Sequence, residues 1–148
     1  MRLYPLATVA PACQTDREEE VLLAPKPMIL LVDDEPDLLG VLAEALGMAM
    51  PEYLVKTLSS YEDAEAALDA LEDDLRLVVV DHLLGDRTGL DLLGRLRRTH
   101  PSVPSILFTG QATTDVEHHA RAYGARVLWK PVRLRAWITE VRSALHPQ

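Results

Sequence analysis

Cysteine is almost missing: Cys13 is the only one in 148 residues, so no disulfide can form within the chain. No run of eighteen or more apolar residues exists either, which leaves no segment able to span a bilayer as a helix. A reducing cytoplasm fits both facts. Basic residues are also scarce, with 15 Lys and Arg against 23 Asp and Glu, a formal charge of -8 and a pI near 5.0. They form no cluster large enough to hold a phosphate backbone, so direct nucleic-acid binding is not expected. The apolar start Leu3–Ala10 is a poor export signal, because Arg2 is its only positive charge and Pro5 and Pro11 interrupt it. With the acidic knot Arg17-Glu18-Glu19-Glu20 and three prolines before residue 26, residues 1–25 read as a partly disordered extension. Internal repeats and low-complexity stretches are absent.

What is present is an ordinary globular mixture, 48% apolar and 26% charged, enough for one core and one domain over residues 26–146. Short apolar runs alternate with longer periodic ones, the rhythm of strands and helices taking turns. The expected strands are Met28–Val32, Tyr53–Leu58, Leu77–Val80, Ser105–Phe108 and Arg126–Trp129. Three of them are continuously apolar, as suits parallel strands covered on both faces, so the fold class is α/β with helices on both sides of the sheet.

Helix stripes agree. Ala64, Ala67, Leu68 and Leu71 recur at i, i+3, i+4 and i+7, and Leu134, Trp137, Ile138, Val141 and Leu145 extend a similar core stripe over three turns. Trp137 is packing mass. Asp34 or Asp37 is expected to cap the first helix with Pro36 in its opening turn, and Gly124 to close the fourth. The first helix, about residues 36–50, is unusually apolar, with Glu44 its only charge after Asp37. Either it lies deep in the core or part of its surface is a docking face for another helix.

Ligands of open parallel sheets bind at the carboxyl ends of the strands. Those ends here are Asp33-Asp34-Glu35, Asp81, Thr109-Gly110 and Lys130-Pro131. Crowded carboxylates need a cation, and hard oxygen donors without His or Cys favour Mg²⁺, held by Asp33 and Asp34. With Mg²⁺ and Lys130 shielding phosphoryl charge and Thr109 donating to a phosphoryl oxygen, Asp81 is placed as a nucleophile toward phosphorus, giving an acyl phosphate. His82 should point to the opposite face of the strand and is read as a structural neighbour.

Leu31-Val32-Asp33-Asp34-Glu35, Val78-Val79-Val80-Asp81, Gly89 eight residues on, Thr109-Gly110 and Lys130-Pro131 together resemble the receiver domain of two-component response regulators, over about residues 26–146. The resemblance implies a flavodoxin-like (βα)₅ fold with strand order 2-1-3-4-5. It implies that Asp81 is the phosphoacceptor, that Asp34, Asp81 and the backbone carbonyl of Leu83 contact Mg²⁺ directly with Asp33 acting largely through water, and that Lys130 pairs with the phosphoryl group. It implies a cis Lys130-Pro131 peptide. The expected donor is a phosphohistidine on a sensor kinase or histidine phosphotransfer protein docking near the first helix. Signalling would then be by contact with an unknown target, or by homodimerisation through the fourth helix, fifth strand and fifth helix. Because only about two residues follow the fifth helix, a stand-alone receiver is expected.

The chain departs from the family where the signal is read out. Val127 stands where an aromatic is usual, and the segment from Gly124 to Lys130 is one residue short, so Trp129 or a different movement must replace the aromatic. Leu84-Gly85 stands where Met-Pro is common. Leu83 and Gln111 occupy positions that tune dephosphorylation, and apolar Leu83, unable to orient a water, implies a long-lived phosphoryl group. The alternatives are a receiver-fold interaction module working without phosphorylation, and a Mg²⁺-dependent aspartyl-phosphate hydrolase. The second lacks its acid/base, since the position two after Asp81 is Leu83.

Overall fold

The alternation of apolar runs and helix stripes builds β1 (Met28–Val32), α1 (Pro36–Ala49), β2 (Leu54–Leu58), α2 (Tyr61–Ala70), β3 (Leu75–Val80), β4 (Leu83–Leu84), β5 (Arg87–Thr88), α3 (Gly89–Thr99), β6 (Ser105–Thr109), α4 (Thr114–Ala122), β7 (Arg126–Trp129) and α5 (Leu134–Leu145). The computed structural model describes residues 26–70 and 74–146; the extension 1–25, Cys13 and Leu71 lie outside the described residues. Five strands pair in parallel in the order β2-β1-β3-β6-β7, the expected 2-1-3-4-5 once the short β4-β5 hairpin is set aside.

Side chains alternate across the sheet and split the core in two. Leu30, Val32, Val78, Val80 and Leu107 pack under α2, α3 and α4, while Ile29, Leu31, Leu77, Val79, Ile106 and Phe108 pack under α1 and α5. Trp137 is fully buried on the second side, stacked on Phe108 with ring centroids 5.3 Å apart, and its indole N–H donates to the Leu42 carbonyl. It is packing mass, as its place in the helix stripe indicated.

Two local expectations need correction. The residue at the N-cap of α1 is Glu35, without a side-chain cap; Asp33 Oδ1 instead accepts from the Glu35 N–H, and neither Asp34 nor Asp37 caps. Leu134, expected in the core, is 45% exposed because the first turn of α5 carries it away from the packed face that Trp137 and Val141 enter. The hairpin β4-β5 has no periodic signal at two residues per strand; Gly85, at φ +67°, makes its turn where an L side chain would be strained. Gly124, at φ +83°, follows α4 as its composition indicated.

α1 is neither wholly buried nor wholly open. Leu39, Leu42 and Leu46 enter the core, while Val41 is 51% and Met48 80% exposed.

Candidate functional site

Each functional side chain sits at the last residue of a strand or one or two residues beyond it, at the carboxyl edge of the sheet where apolar packing stops. Asp33 follows β1, Asp81 follows β3, Thr109 ends β6 and Lys130 follows β7. Asp33, Asp81 and Thr109 are buried, whereas Asp34 and Glu35 are exposed. Carboxylate oxygens of Asp33, Asp34, Glu35 and Asp81 all lie within 4.8 Å of one another. Asp34, Glu35 and Asp81 border, with Leu83, Thr109, Gly110, Gln111 and Lys130, an open cavity of about 190 Å³. A larger cavity of about 360 Å³ lies by the other end of the sheet, near Arg76, Pro104 and Tyr123, away from the carboxylates.

Lys130 is the organising cation. Its Nζ is 2.7 Å from Asp33 Oδ2, 3.4 Å from Asp81 Oδ2 and 3.5 Å from Glu35 Oε1. The same ammonium lies 5.3 Å from the centroid of the Phe108 ring, the ring on which Trp137 stacks, so the core of the α1–α5 side supports the lysine from below. Its peptide bond to Pro131 is cis. Burial pushes Asp33 above the ordinary carboxylate range, and the hydrogen bonds from Lys130 and the Glu35 N–H oppose this without cancelling it. At Lys130 burial acts downward but is outweighed by the hydrogen bond and charge of Asp33, then by Asp81 and Glu35, so the ammonium is held above its usual value. Three of the four clustered carboxylates therefore share one ammonium. Their hard oxygens, with no His or Cys among them, suit a small divalent cation such as Mg²⁺.

Asp81 Oδ1 accepts from the His82 N–H at 2.7 Å, leaving Oδ2 toward Lys130 and the cavity. Among the described residues the Thr109 hydroxyl bonds only to the Gln111 backbone, accepting from its N–H at 3.1 Å and donating to its carbonyl at 3.4 Å. A weakly held donor beside a carboxylate is easily redirected. The His82 ring nitrogen Nδ1 is buried without a partner among the described residues, and His82 is not a member of the carboxylate cluster. Gly89 closes the site from beneath: its N–H donates to the His82 carbonyl at 2.7 Å, and a Cβ there would overlap the Asp81 carbonyl oxygen.

The structure thus gathers Asp33, Asp34, Asp81, Leu83, Thr109 and Lys130, all six expected from the sequence. It adds Glu35 as a fourth carboxylate and lysine partner, which its place beside Asp34 could have indicated. Val127 packs against the α2–α4 side of the core, and Trp129, two residues on and on the same strand face, is 43% exposed and paired in register with Thr109.

Residues 29–142 match the family described as response regulator receiver domain. The transcriptional regulatory protein CpxR of Escherichia coli is 33% identical over 118 residues, 79% of this chain and 48% of CpxR, so the chain spans about half the length of that relative. The receiver domain of HemR from Leptospira biflexa superposes with a TM-score of 0.75 at 27% identity, covering 83% of this chain and 97% of that domain. A response regulator from Burkholderia pseudomallei, solved with a phosphorylated aspartic acid, a calcium ion and citrate, superposes with a TM-score of 0.70 at 25% identity, covering 82% and 68% of the two chains. Sequence, strand order and the carboxyl-edge cluster agree that the chain belongs to the response regulator receiver domain family of two-component signalling.

Proposed function

We propose that Asp81 accepts a phosphoryl group from a phosphohistidine of a sensor kinase or histidine phosphotransfer protein, in the cytoplasm, and that the chain signals by protein contact. The observation that carries this reading is the Asp81 carboxylate itself, buried on one side, 3.4 Å from Lys130, and open on the other to the carboxylate-lined cavity. Asp81 Oδ2 attacks phosphorus as the bond from phosphorus to the donor imidazole breaks and its electron pair returns to the ring nitrogen; with the other ring nitrogen of the phosphohistidine already protonated, the products are an acyl phosphate and a neutral imidazole. Asp33, Asp34, Asp81 and the backbone carbonyl of Leu83 would hold Mg²⁺. That ion, when bound, supplies positive charge opposite the phosphoryl oxygens. Lys130 turns from Asp33 toward a phosphoryl oxygen, and the Thr109 hydroxyl exchanges the Gln111 carbonyl for another. The Burkholderia relative carries both a phosphorylated aspartic acid and a divalent cation, which supports the same pairing here.

Leu83, 42% exposed at the mouth of the cavity, offers no group to orient an attacking water, so the phosphoryl group should be long-lived. Output would run through α4, β7 and α5, by a target or by pairing of activated copies, with Trp129 in place of an aromatic at Val127. The fixed packing of Val127 favours one alternative, an interaction module whose binding ignores phosphorylation. Incubation with acetyl phosphate and Mg²⁺ followed by intact mass tests the main reading. One added phosphoryl group is expected, absent in Asp81→Asn; no adduct on the wild type would leave the interaction module.

A further inference from the structure

Charge is divided unevenly along this chain and therefore across the sheet. Residues 26–74 carry two Lys or Arg against thirteen Asp or Glu, and residues 75–146 carry eleven against six. The two kinds meet on one face of the molecule, where α1 from the acidic half and α5 from the basic half lie side by side over a shared core.

On α1 the open side presents Asp37, Gly40, Val41, Glu44, Gly47 and Met48, all exposed and joined by three- and four-residue steps along two adjacent rows, 37-41-44-48 and 37-40-44-47. This is a single seam along the helix, with Asp37 and Glu44 seven residues apart and Val41 and Met48 likewise. Gly40 and Gly47 are not required by the chain's own packing, since a Cβ at either would meet nothing within 4 Å. They weaken the helix relative to alanine while leaving shallow troughs beside Val41 and Met48. On α5 the exposed residues Arg135, Thr139, Arg142 and His146 form a matching seam. It borders α1, because Arg142 Nη2 donates to the Ala49 carbonyl at 3.0 Å. The Arg135 guanidinium has no partner among the described residues, and its charge beside the N-terminus of α5 opposes the helix dipole.

From this arrangement we infer that a second copy of this chain covers the α1–α5 face, the α1 of each copy lying along the α5 of the other. Both helices start at the carboxyl edge of the sheet and run in the same direction. A two-fold axis parallel to them therefore sets the acidic, apolar seam of one copy on the basic seam of the other, twice over. The bond from Trp137 to the Leu42 carbonyl holds α5 about one turn lower than α1. That offset puts Arg135 between Asp37 and Glu44 of the facing copy, and Arg142 beyond Glu44 toward Met48. The competing pairing, α1 on α1 and α5 on α5, would stack like charges and is disfavoured. Such a dimer covers the α1 surface where a phosphodonor is expected to dock, so dimer and donor exclude each other. The inference does not depend on Asp81 being phosphorylated.

Sedimentation of the full chain from micromolar to millimolar concentration tests it. A monomer–dimer equilibrium that weakens with added salt is expected. Arg135→Glu and Glu44→Arg should each raise the dimer dissociation constant about tenfold or more, and combining them should restore it to within a few-fold of the wild type. Both positions are exposed, and circular dichroism of each variant checks that it folds. A wild type that stays monomeric, a dimer indifferent to Arg135→Glu, or a double variant that is not rescued would each overturn the inference, while the phosphoryl adduct on Asp81 is read separately by mass.

Discussion

Replacing Gly89 by alanine probes how the site is built. The added Cβ would overlap the carbonyl oxygen of Asp81, lie 3.0 Å from its carbonyl carbon and 3.2 Å from Leu107 Cδ1. The first two are backbone atoms that cannot rotate away, so either the Asp81–His82 peptide or the start of α3 must move. That movement pulls on the Gly89 N–H bond to His82 and on the adjoining cap, in which Thr88 and Asp91 each accept the other's backbone N–H. Overpacking of this kind costs about 2–3 kcal/mol. In a domain of this size that lowers Tm by on the order of 10 °C. Urea denaturation gives the cost directly, and labelling by acetyl phosphate should slow because the Asp81 carboxylate shifts with its peptide. The control is the same substitution at Gly40, where no atom lies within 4 Å and alanine should stabilise the helix by about 0.5–1 kcal/mol. If Gly89→Ala unfolds within about 0.5 kcal/mol of the wild type, the close approach of α3 to Asp81 is wrong.

Trp137→Ala should cost about 3–5 kcal/mol, because it empties a fully buried volume against Phe108 and removes the bond to Leu42; a loss under about 1 kcal/mol in urea would contradict this packing. Mg²⁺ should raise Tm in a concentration-dependent way, the added stability reaching about 2.7 kcal/mol at a hundred times its dissociation constant, with the effect much reduced in Asp34→Asn; equal shifts in both proteins would remove Asp34 from the metal site. Asp91 is held below the ordinary carboxylate range, chiefly by the Thr88 N–H, with burial opposing and the Thr88 hydroxyl and Arg87 assisting. A depressed carboxylate stabilises above its unfolded pKa and loses that contribution as pH falls through its folded value. The stability gap between wild type and Asp91→Asn should therefore be full at neutral pH and shrink below about pH 4. It should stay under about 1 kcal/mol, since the side chain is nearly half exposed. A gap that widens in acid would contradict the capping role.

The site was readable in the sequence because its residues are conspicuous where they stand. Asp33, Asp81 and Thr109 interrupt or end apolar strands, and a parallel sheet delivers strand ends to one edge whatever the intervening lengths. The strand order was readable only through the resemblance, since β2 and β7 have mixed burial and little pattern of their own. What failed were local contests decided by neighbours. The Asp34 and Asp37 caps failed because the bend before α1 is made by Asp33 accepting from Glu35, which frees Asp34 to face the cavity. Leu134 has the right helical phase, but phase does not reveal that the first turn of α5 leaves it without cover. The β4-β5 hairpin is set by Gly85 and two pairs of residues, too few to show a period.

Reduction of the phosphorylated chain with borohydride tests the central claim most directly. An acyl phosphate is converted to an alcohol, so peptide mass spectrometry after labelling with acetyl phosphate and Mg²⁺ should find homoserine at position 81 and at no other aspartate. Homoserine at Asp33 or Asp34 instead, or a phosphoryl group that survives reduction unchanged, would contradict Asp81 as the acceptor.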